Sequence, residues 1–155
     1  MTRETTAPGA ATAPTAVMAE GGAAGDRAVQ DQVTICMPAE GAYLSVLRTA
    51  TAGLAARLDF TLDEIEDLRI AVDEACGMLL AQAAPHADLE CNFTLGADRM
   101  SIAVSTLAAQ PRPPARDTFA WTVLSALAGS VDAWVGPGDK VTVVLRKIRE
   151  SSRPG

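Results

Sequence analysis

One stretch, from Thr61 to Gln82, constrains the fold more than any other because it has the pattern of a long, capped amphipathic helix. Thr61 can accept a hydrogen bond from the Glu64 amide while the Glu64 side chain accepts from the Thr61 N–H, the capping-box arrangement of a helix start. Apolar side chains then recur at helical spacing and form one stripe for a core, namely Ile65, Leu68, Val72, Ala75, Cys76 and Leu79. At about 100° per residue, Glu74 falls nearly opposite that stripe. This carboxylate therefore faces either a cleft or ordinary surface.

The start of the chain differs in composition from the rest. Residues 1–27 are almost entirely Ala, Gly, Thr, Pro and Glu, without an aromatic residue or a periodic pattern. Such a segment cannot bury enough apolar surface to offset the entropy lost on ordering, and it lacks the pattern of a signal peptide. We therefore predict a disordered tail over residues 1–30, one globular domain over residues 31–150 and a disordered end over residues 151–155.

Charge and residue usage exclude several classes of function. The net charge of −6 and the pI near 4.7 argue against direct binding of nucleic acid. No apolar run approaches the roughly 20 residues that span a bilayer. Cys36, Cys76 and Cys91 have no CxxC spacing, which suits a reducing cytosol and predicts neither a disulfide nor a zinc site. The single histidine, His86, excludes multi-histidine metal sites within this chain. The sequence therefore predicts a cytoplasmic protein with no metal ligand set and no membrane contact.

The remaining patterns predict further helices and strands around the central helix. Alternating apolar and polar residues predict strands near residues 33–37, 89–95, 100–104, 131–135 and 140–148. A helix over residues 40–58 is predicted to face the core with Tyr43, Val46, Leu47, Ala50 and Leu54, and a third helix, capped by Asp117, to carry Phe119, Val123, Leu124 and Leu127. This order implies an α+β fold, a two-layer sandwich with one mostly antiparallel sheet covered by about three helices. The proline-rich loop (residues 107–116) is either a stiffened connection or an SH3-type ligand.

The order of elements, together with Leu68-Arg-Ile-Ala-Val-Asp-Glu-Ala-Cys76, resembles the ATPase fold shared by sensor histidine kinases and Hsp90. More narrowly, residues 33–148 are similar to the small anti-sigma-factor serine kinases of bacteria. The Thr-Leu-Asp-Glu cap before that segment and the Trp-x-Val-Leu-x-Ala-Leu-Ala pattern from Trp121 carry the narrower resemblance. It implies a histidine kinase-like ATPase fold whose central helix has a glutamate as general base and, four residues later, an asparagine that holds Mg²⁺. Positions four apart share a helix face, so both groups reach the same phosphates.

Compared with the motifs of that family, this sequence has altered residues at most nucleotide-binding positions. Glu74 occupies the position of the base and is the predicted catalytic residue if the protein is active, but Met78 replaces the asparagine, and a thioether is a poor ligand for Mg²⁺. The family's Asp-x-Gly-x-Gly motif aligns with Thr106, Ala108 and Gln110, where only the Thr106 hydroxyl can hydrogen-bond. Glycines expected near the start of the third helix are also replaced by larger residues. No cofactor is therefore expected, although the resemblance leaves ATP with Mg²⁺ open.

The resemblance implies a regulator of transcription that acts by binding proteins. The favoured hypothesis is an anti-sigma factor that sequesters a sigma factor, is released by a STAS-type anti-anti-sigma antagonist and has no kinase activity. The alternative is an active serine kinase that phosphorylates this antagonist, and a third is a diverged regulator with another partner. Arg48 matches the position of an arginine that contacts sigma in the family. A homodimer is a family expectation, for which Val33 to Met37 could supply an edge strand.

Overall fold

The computed structural model describes residues 30–150, so the tails predicted over residues 1–30 and 151–155 lie outside the described residues, apart from Gln30. Three helices are present: α1 (Leu44–Arg57), α2 (Leu62–Leu80) and α3 (Phe119–Leu127). The five strands are β1 (Asp31–Pro38), β2 (Asp88–Leu95), β3 (Arg99–Leu107), β4 (Ser130–Val135) and β5 (Lys140–Ile148). Their order along the chain is the predicted one.

The strands form a single antiparallel sheet in the order β1-β2-β3-β5-β4, so β1 and β4 are its edges. Phe93, Ile102 and Leu145 lie side by side on β2, β3 and β5, and all three are fully buried beneath the helices. The opposite face carries mainly small or polar side chains, among them Thr34, Asn92, Ala103 and Asp132. This one-sided burial is typical of an antiparallel sheet covered on one face, and the predicted α+β fold class is confirmed.

Helix α2 is the centre of the helical layer, since it packs against α1, α3, β3 and β5. Its predicted capping box is present: the Glu64 N–H donates to Thr61 Oγ1 at 3.1 Å and the Thr61 N–H donates to Glu64 Oε1 at 2.8 Å. The predicted stripe is buried almost as expected, with Leu68, Ala71, Val72, Ala75, Cys76 and Leu79 inaccessible or nearly so. Each large apolar side chain buried in this way contributes about 1.5–3 kcal/mol relative to exposure.

Two predictions for α1 are wrong. The helix begins at Leu44 rather than at Glu40, because a 3₁₀ turn over Gly41–Tyr43 precedes it. Tyr43 and Val46 were expected in the core but remain 43% and 48% exposed. A 3₁₀ turn has three residues per turn instead of 3.6, so it shifts the phase of Tyr43 relative to the helix that follows. Val46 lies inside the helix, about 100° around its axis from Leu47 and on the side away from Thr51 and Ala55. The face of α1 that is buried consists of Leu47, Thr51 and Ala55.

The start of α3 also differs from its prediction. Thr118, not Asp117, is the N-cap, and its hydroxyl accepts a 3.2 Å hydrogen bond from the Trp121 N–H. Phe119 was expected on the apolar face but is 83% exposed. The buried side of α3 is defined by Trp121 and Leu124. Because Phe119 lies about 200° around the helix from Trp121, it points away from the core.

Residues 30–150 lack two features. Within this range no helix is both long enough and apolar enough to cross a membrane. The same range holds no cluster of three or more His, Cys, Asp or Glu side chains placed to bind a metal ion.

Candidate functional site

The C-terminal end of α2 and the proline-rich loop border a solvent-open cavity of about 360 Å³. Met78, Ala81 and Gln82 line it from the helix side. The loop and the first turn of α3 complete the wall, with Arg112, Pro113, Pro114, Ala115, Thr118 and Ala120. The cavity therefore lies where the resemblance predicts a nucleotide site, beside the position of the missing asparagine and next to the expected glycine-rich segment.

The predicted base, Glu74, does not line this cavity. It lies one turn before Met78 on α2, is half-exposed, and has no hydrogen bond or ion pair to any residue in the described range. The helix therefore places Glu74 and Met78 on neighbouring parts of one face, as their spacing predicts. A catalytic role for Glu74 stays a prediction.

The three other predicted cofactor positions are dispersed. Thr106 is buried, and its hydroxyl donates a 2.8 Å hydrogen bond to the Asp88 carbonyl. Ala108 is buried beside the end of β3, and its N–H donates to the Asp139 carbonyl at 3.0 Å. Only Gln110 borders open space, in a second cavity of about 220 Å³. Because the Thr106 hydroxyl already has a partner, it is not directed at a ligand.

Gln82 connects the helix to the loop. Its Nε2 donates to the Arg112 carbonyl at 2.9 Å, and its Oε1 accepts from the Arg112 N–H at 3.0 Å. This reciprocal pair separates the 360 Å³ cavity from the 220 Å³ cavity, since Ala81, Gln82 and Arg112 line both. This contact is not predictable from the sequence, because neither residue belongs to a motif and they are 30 positions apart.

A second anchor holds the other end of the proline-rich loop. Arg116 donates to Asp132 Oδ1 at 2.8 Å and to the Ala133 carbonyl at 3.2 Å, both on β4. Its guanidinium carbon also lies 4.7 Å from the centre of the Trp121 ring, within the range of a cation–π contact. The hydrogen bond from Arg116 lowers the pKa of Asp132 below its ordinary value. The loop is thus fastened at Arg112 and again at Arg116.

The cavity lining does not suit Mg²⁺, which requires hard oxygen ligands in an octahedral arrangement. None of the residues that line the 360 Å³ cavity has a carboxylate. The Gln82 oxygen accepts from Arg112, and the Thr118 hydroxyl caps α3 and donates to the Ala115 carbonyl at 3.2 Å. The Met78 sulfur is a soft atom. The side chains that line this cavity therefore present no free hard oxygen atom for Mg²⁺.

Arg48, the predicted partner-binding residue, lies on α1 beside α2. Its Nη1 donates to Asp73 Oδ1 at 2.8 Å, and the two side chains are 36% and 41% exposed. The ion pair orients the guanidinium while leaving part of it accessible. Asp73, which holds Arg48, directly precedes Glu74 on α2.

The sheet, the capped central helix and the loop-covered cavity define a domain with the histidine kinase-like ATPase fold. No family model matches the sequence. Curated relatives named serine-protein kinase RsbW align with about half of it: 33% identity over 78 residues in Bacillus subtilis, 34% over 82 in Bacillus velezensis and 36% over 76 in Halalkalibacterium halodurans. In each case the aligned part covers 48% of this chain, and it covers 49%, 49% and 47% of the relative. The chain therefore spans about half the length of these relatives.

A solved structure supports the fold. A crystal structure of the RsbU and RsbW domains of a Mycobacterium tuberculosis protein superposes with a TM-score of 0.61 at 17% identity. The match covers 80% of this chain and 33% of that chain. This match supports the fold alone, and the relatives named serine-protein kinase RsbW confirm the resemblance to that family of kinases.

Proposed function

We propose that this protein is an anti-sigma factor that binds and sequesters a bacterial sigma factor without kinase activity. One observation carries the second half of the proposal: in the cavity at the predicted nucleotide position, the Met78 thioether stands where the resemblance predicts a magnesium-binding asparagine, and the nearby Gln82 oxygen is engaged by the loop. A protein that retains the fold and loses the ion site keeps surfaces on which partners can bind. The relatives named serine-protein kinase RsbW support the family to which this function belongs.

Titration calorimetry tests the loss of nucleotide binding. MgATP and ADP are titrated to millimolar concentration into the 155-residue chain, with the Bacillus subtilis relative as a positive control. We expect heat from the control and none from this protein. Micromolar binding would contradict the proposal and favour the alternative, a kinase that phosphorylates a serine of its antagonist. In that alternative Glu74→Gln abolishes phosphate transfer, whereas the neighbouring Asp73→Asn, on the same helix, leaves it measurable.

Capture of partners tests the first half of the proposal. The tagged protein is incubated in native extract of its source organism, and the bound proteins are identified. We expect a sigma factor, and we expect added STAS-type antagonist to displace it. Repeated capture that enriches neither class would contradict the anti-sigma function and support a diverged regulator with another partner.

Three further expectations follow from this function. A cytoplasmic location suits a protein that binds sigma factors, and no direct contact with nucleic acid or membrane is required. Among the strands of residues 30–150, β1 pairs only with β2, so a second copy of the chain can add at its other edge. Light scattering coupled to size exclusion measures whether a homodimer forms, and a monomer at high micromolar concentration would contradict that expectation.

A further inference from the structure

Strand β4 is an edge of the sheet, and among residues 30–150 only β5 pairs with it. At the hairpin between the two strands, the Gly136 N–H donates to the Lys140 carbonyl at 2.7 Å. Bonded and non-bonded residues alternate along an antiparallel pair, so every second residue of β4 directs its N–H and C=O away from β5. These residues are Val131, Ala133 and Val135. Outward groups of this kind are a template on which another strand can add.

The middle one of these three residues, Ala133, has both of its outward groups occupied by side chains. Its N–H donates to Asp132 Oδ1 at 2.8 Å, and its carbonyl accepts from Arg116 Nη2 at 3.2 Å. The same Arg116 nitrogen donates to Asp132 Oδ1 at 2.8 Å, so the two side chains are also joined to each other. A neighbouring strand would offer Ala133 one acceptor and one donor. Here a carboxylate and a guanidinium offer the same two groups.

Trp121 supports the guanidinium of Arg116 from another side. The guanidinium carbon lies 4.7 Å from the centre of the indole ring, and the Trp121 side chain belongs to the buried core. The ring is therefore a fixed surface on which the cation rests, and the cation–π attraction favours the position beside β4. A strand that approaches Ala133 has to break the hydrogen bonds of Arg116 and also move it away from this ring.

The opposite edge of the sheet, on β1, has no such cap among residues 30–150. Just beyond β1, the Ala39 N–H donates to the Ala87 carbonyl at 3.0 Å, which sets the alternation along the β1–β2 pair. The residues that direct their N–H and C=O outward are therefore Gln32, Thr34 and Cys36. Within the described part of the chain, no side chain hydrogen-bonds to these backbone groups. The two edges of one sheet thus differ in their capacity to accept a strand.

We propose that Arg116 and Asp132 close the β4 edge, so that a second copy of this chain cannot pair with β4. A chain with two open edges can add copies on both sides and grow without limit, whereas a chain with one open edge stops at two copies. The cap on Ala133 therefore limits assembly through the sheet to a dimer at most. This inference goes beyond the proposed anti-sigma function and does not depend on it, because closure of β4 is measured without a sigma factor and whether or not β1 supports a dimer.

The double variant Arg116→Ala with Asp132→Ala tests the cap, because it removes both side chains and leaves the net charge unchanged. Arg112→Ala with Asp117→Ala is the matched control, since it removes the same two charges from exposed positions between β3 and α3. Light scattering coupled to size exclusion measures the mass of the 155-residue chain from low to high micromolar concentration. We expect the parent and the control to stay at two copies or fewer, and the double variant to reach at least about twice the mass of the parent. Equal masses of the double variant and the parent overturn the proposal.

Amide exchange of β4, followed by mass spectrometry, separates edge pairing from association of a loosened fold. An added strand bonds the outward N–H groups of Val131, Ala133 and Val135. In the double variant we therefore expect β4 to exchange at least about threefold more slowly at high micromolar than at low micromolar concentration. The control should show no such dependence on concentration. Larger assemblies without slower exchange of β4, or with faster exchange throughout β3 and β5, overturn the assignment of the cap.

Discussion

The backbone N–H of Glu150 donates a 2.9 Å hydrogen bond to Oε2 of Glu64, whose side chain is buried in the first turn of α2. The other oxygen, Oε1, accepts from the Thr61 N–H at 2.8 Å. One carboxylate therefore caps the central helix and binds the chain that leaves β5. In the same region, Arg149 Nη1 donates to the Leu58 carbonyl at 2.9 Å. The end of the sheet is thus tied to the connection between α1 and α2.

The Glu64 contact makes stability depend on pH. Burial alone would raise the pKa of Glu64, but hydrogen bonds from Thr61 and Glu150, with the positive charge of Lys147, lower it below the ordinary glutamate value. A carboxyl group whose pKa is lower in the folded state stabilises the fold above its unfolded pKa, and this stabilisation is lost as the pH falls through the folded pKa. We therefore expect the free energy of unfolding, measured with urea, to decline from about pH 5 downward.

Glu64→Gln isolates this contribution. The substitution removes the charge that the N–H groups of Thr61 and Glu150 stabilise, and we expect a loss of about 1–3 kcal/mol at pH 7. The loss should shrink at low pH, where the parent carboxyl is itself protonated. Glu66→Gln, an exposed position in the same helix, is the control and should change stability by less than about 0.5 kcal/mol. Equal losses at both positions would contradict the role assigned to Glu64.

The two glycines at Gly129 and Gly53 should respond in opposite directions to alanine. A Cβ at Gly129 would lie 2.9 Å from the Arg146 carbonyl oxygen on β5, so the backbone must shift. We expect Gly129→Ala to lower the free energy of unfolding by about 1–3 kcal/mol. A Cβ at Gly53, within α1, meets nothing within 4 Å. Gly53→Ala should raise stability by about 0.5–1 kcal/mol through helix propensity. Urea unfolding measures both, and the same sign for the two variants would contradict this packing.

The three cysteines should differ in reactivity. Cys36 is exposed on the edge strand β1, whereas Cys76 and Cys91 are buried, and burial raises the pKa of the Cys76 thiol to about 12. Burial raises the pKa of Cys91 as well. Because the thiolate is the reactive form, Ellman's reagent should modify one thiol in the native protein and three after denaturation. Rapid reaction of more than one native thiol would contradict the buried positions.

The sequence analysis succeeded where the signal is local. The capping box of Thr61 and Glu64, the stripe of α2 and the alternation in the strands each depend on neighbours in the chain. It failed at the start of α1, where a 3₁₀ turn shifted the helical phase and left Tyr43 exposed. Periodicity alone cannot reveal such a turn.

The site was less accessible to sequence reasoning than the fold. Two basic residues near the end of the chain belong to no sequence motif. Lys147 donates to the Leu127 carbonyl at 2.9 Å, and Arg149 donates to the Leu58 carbonyl, so both satisfy the C-terminal ends of helices. The Gln82–Arg112 pair likewise joins distant segments. Contacts of this kind become visible only when the fold brings the two segments together.

Arg48 gives the sharpest test of the proposed partner surface. Its guanidinium is held by Asp73 at 2.8 Å and remains 36% exposed, so a partner carboxylate can reach its free edge without reordering the side chain. We expect Arg48→Ala to weaken sigma-factor binding by about tenfold or more, as a buried interface arginine does. The stability of the free domain should change by less than about 1 kcal/mol, because exposed ion pairs contribute little. Surface plasmon resonance and urea unfolding measure the two quantities.

A second arginine on the same helix provides the control for that experiment. Arg57 lies in the last turn of α1 and is exposed, so Arg57→Ala removes the same charge from the same element. It should lower the affinity for sigma by less than about twofold, mainly because the long-range electrostatic attraction is weaker. The difference in affinity between Arg57→Ala and Arg48→Ala should persist at high salt. Equal effects of the two variants would mean that net charge, rather than the position of Arg48, determines binding. An unchanged affinity in Arg48→Ala would place the partner on another face of the domain.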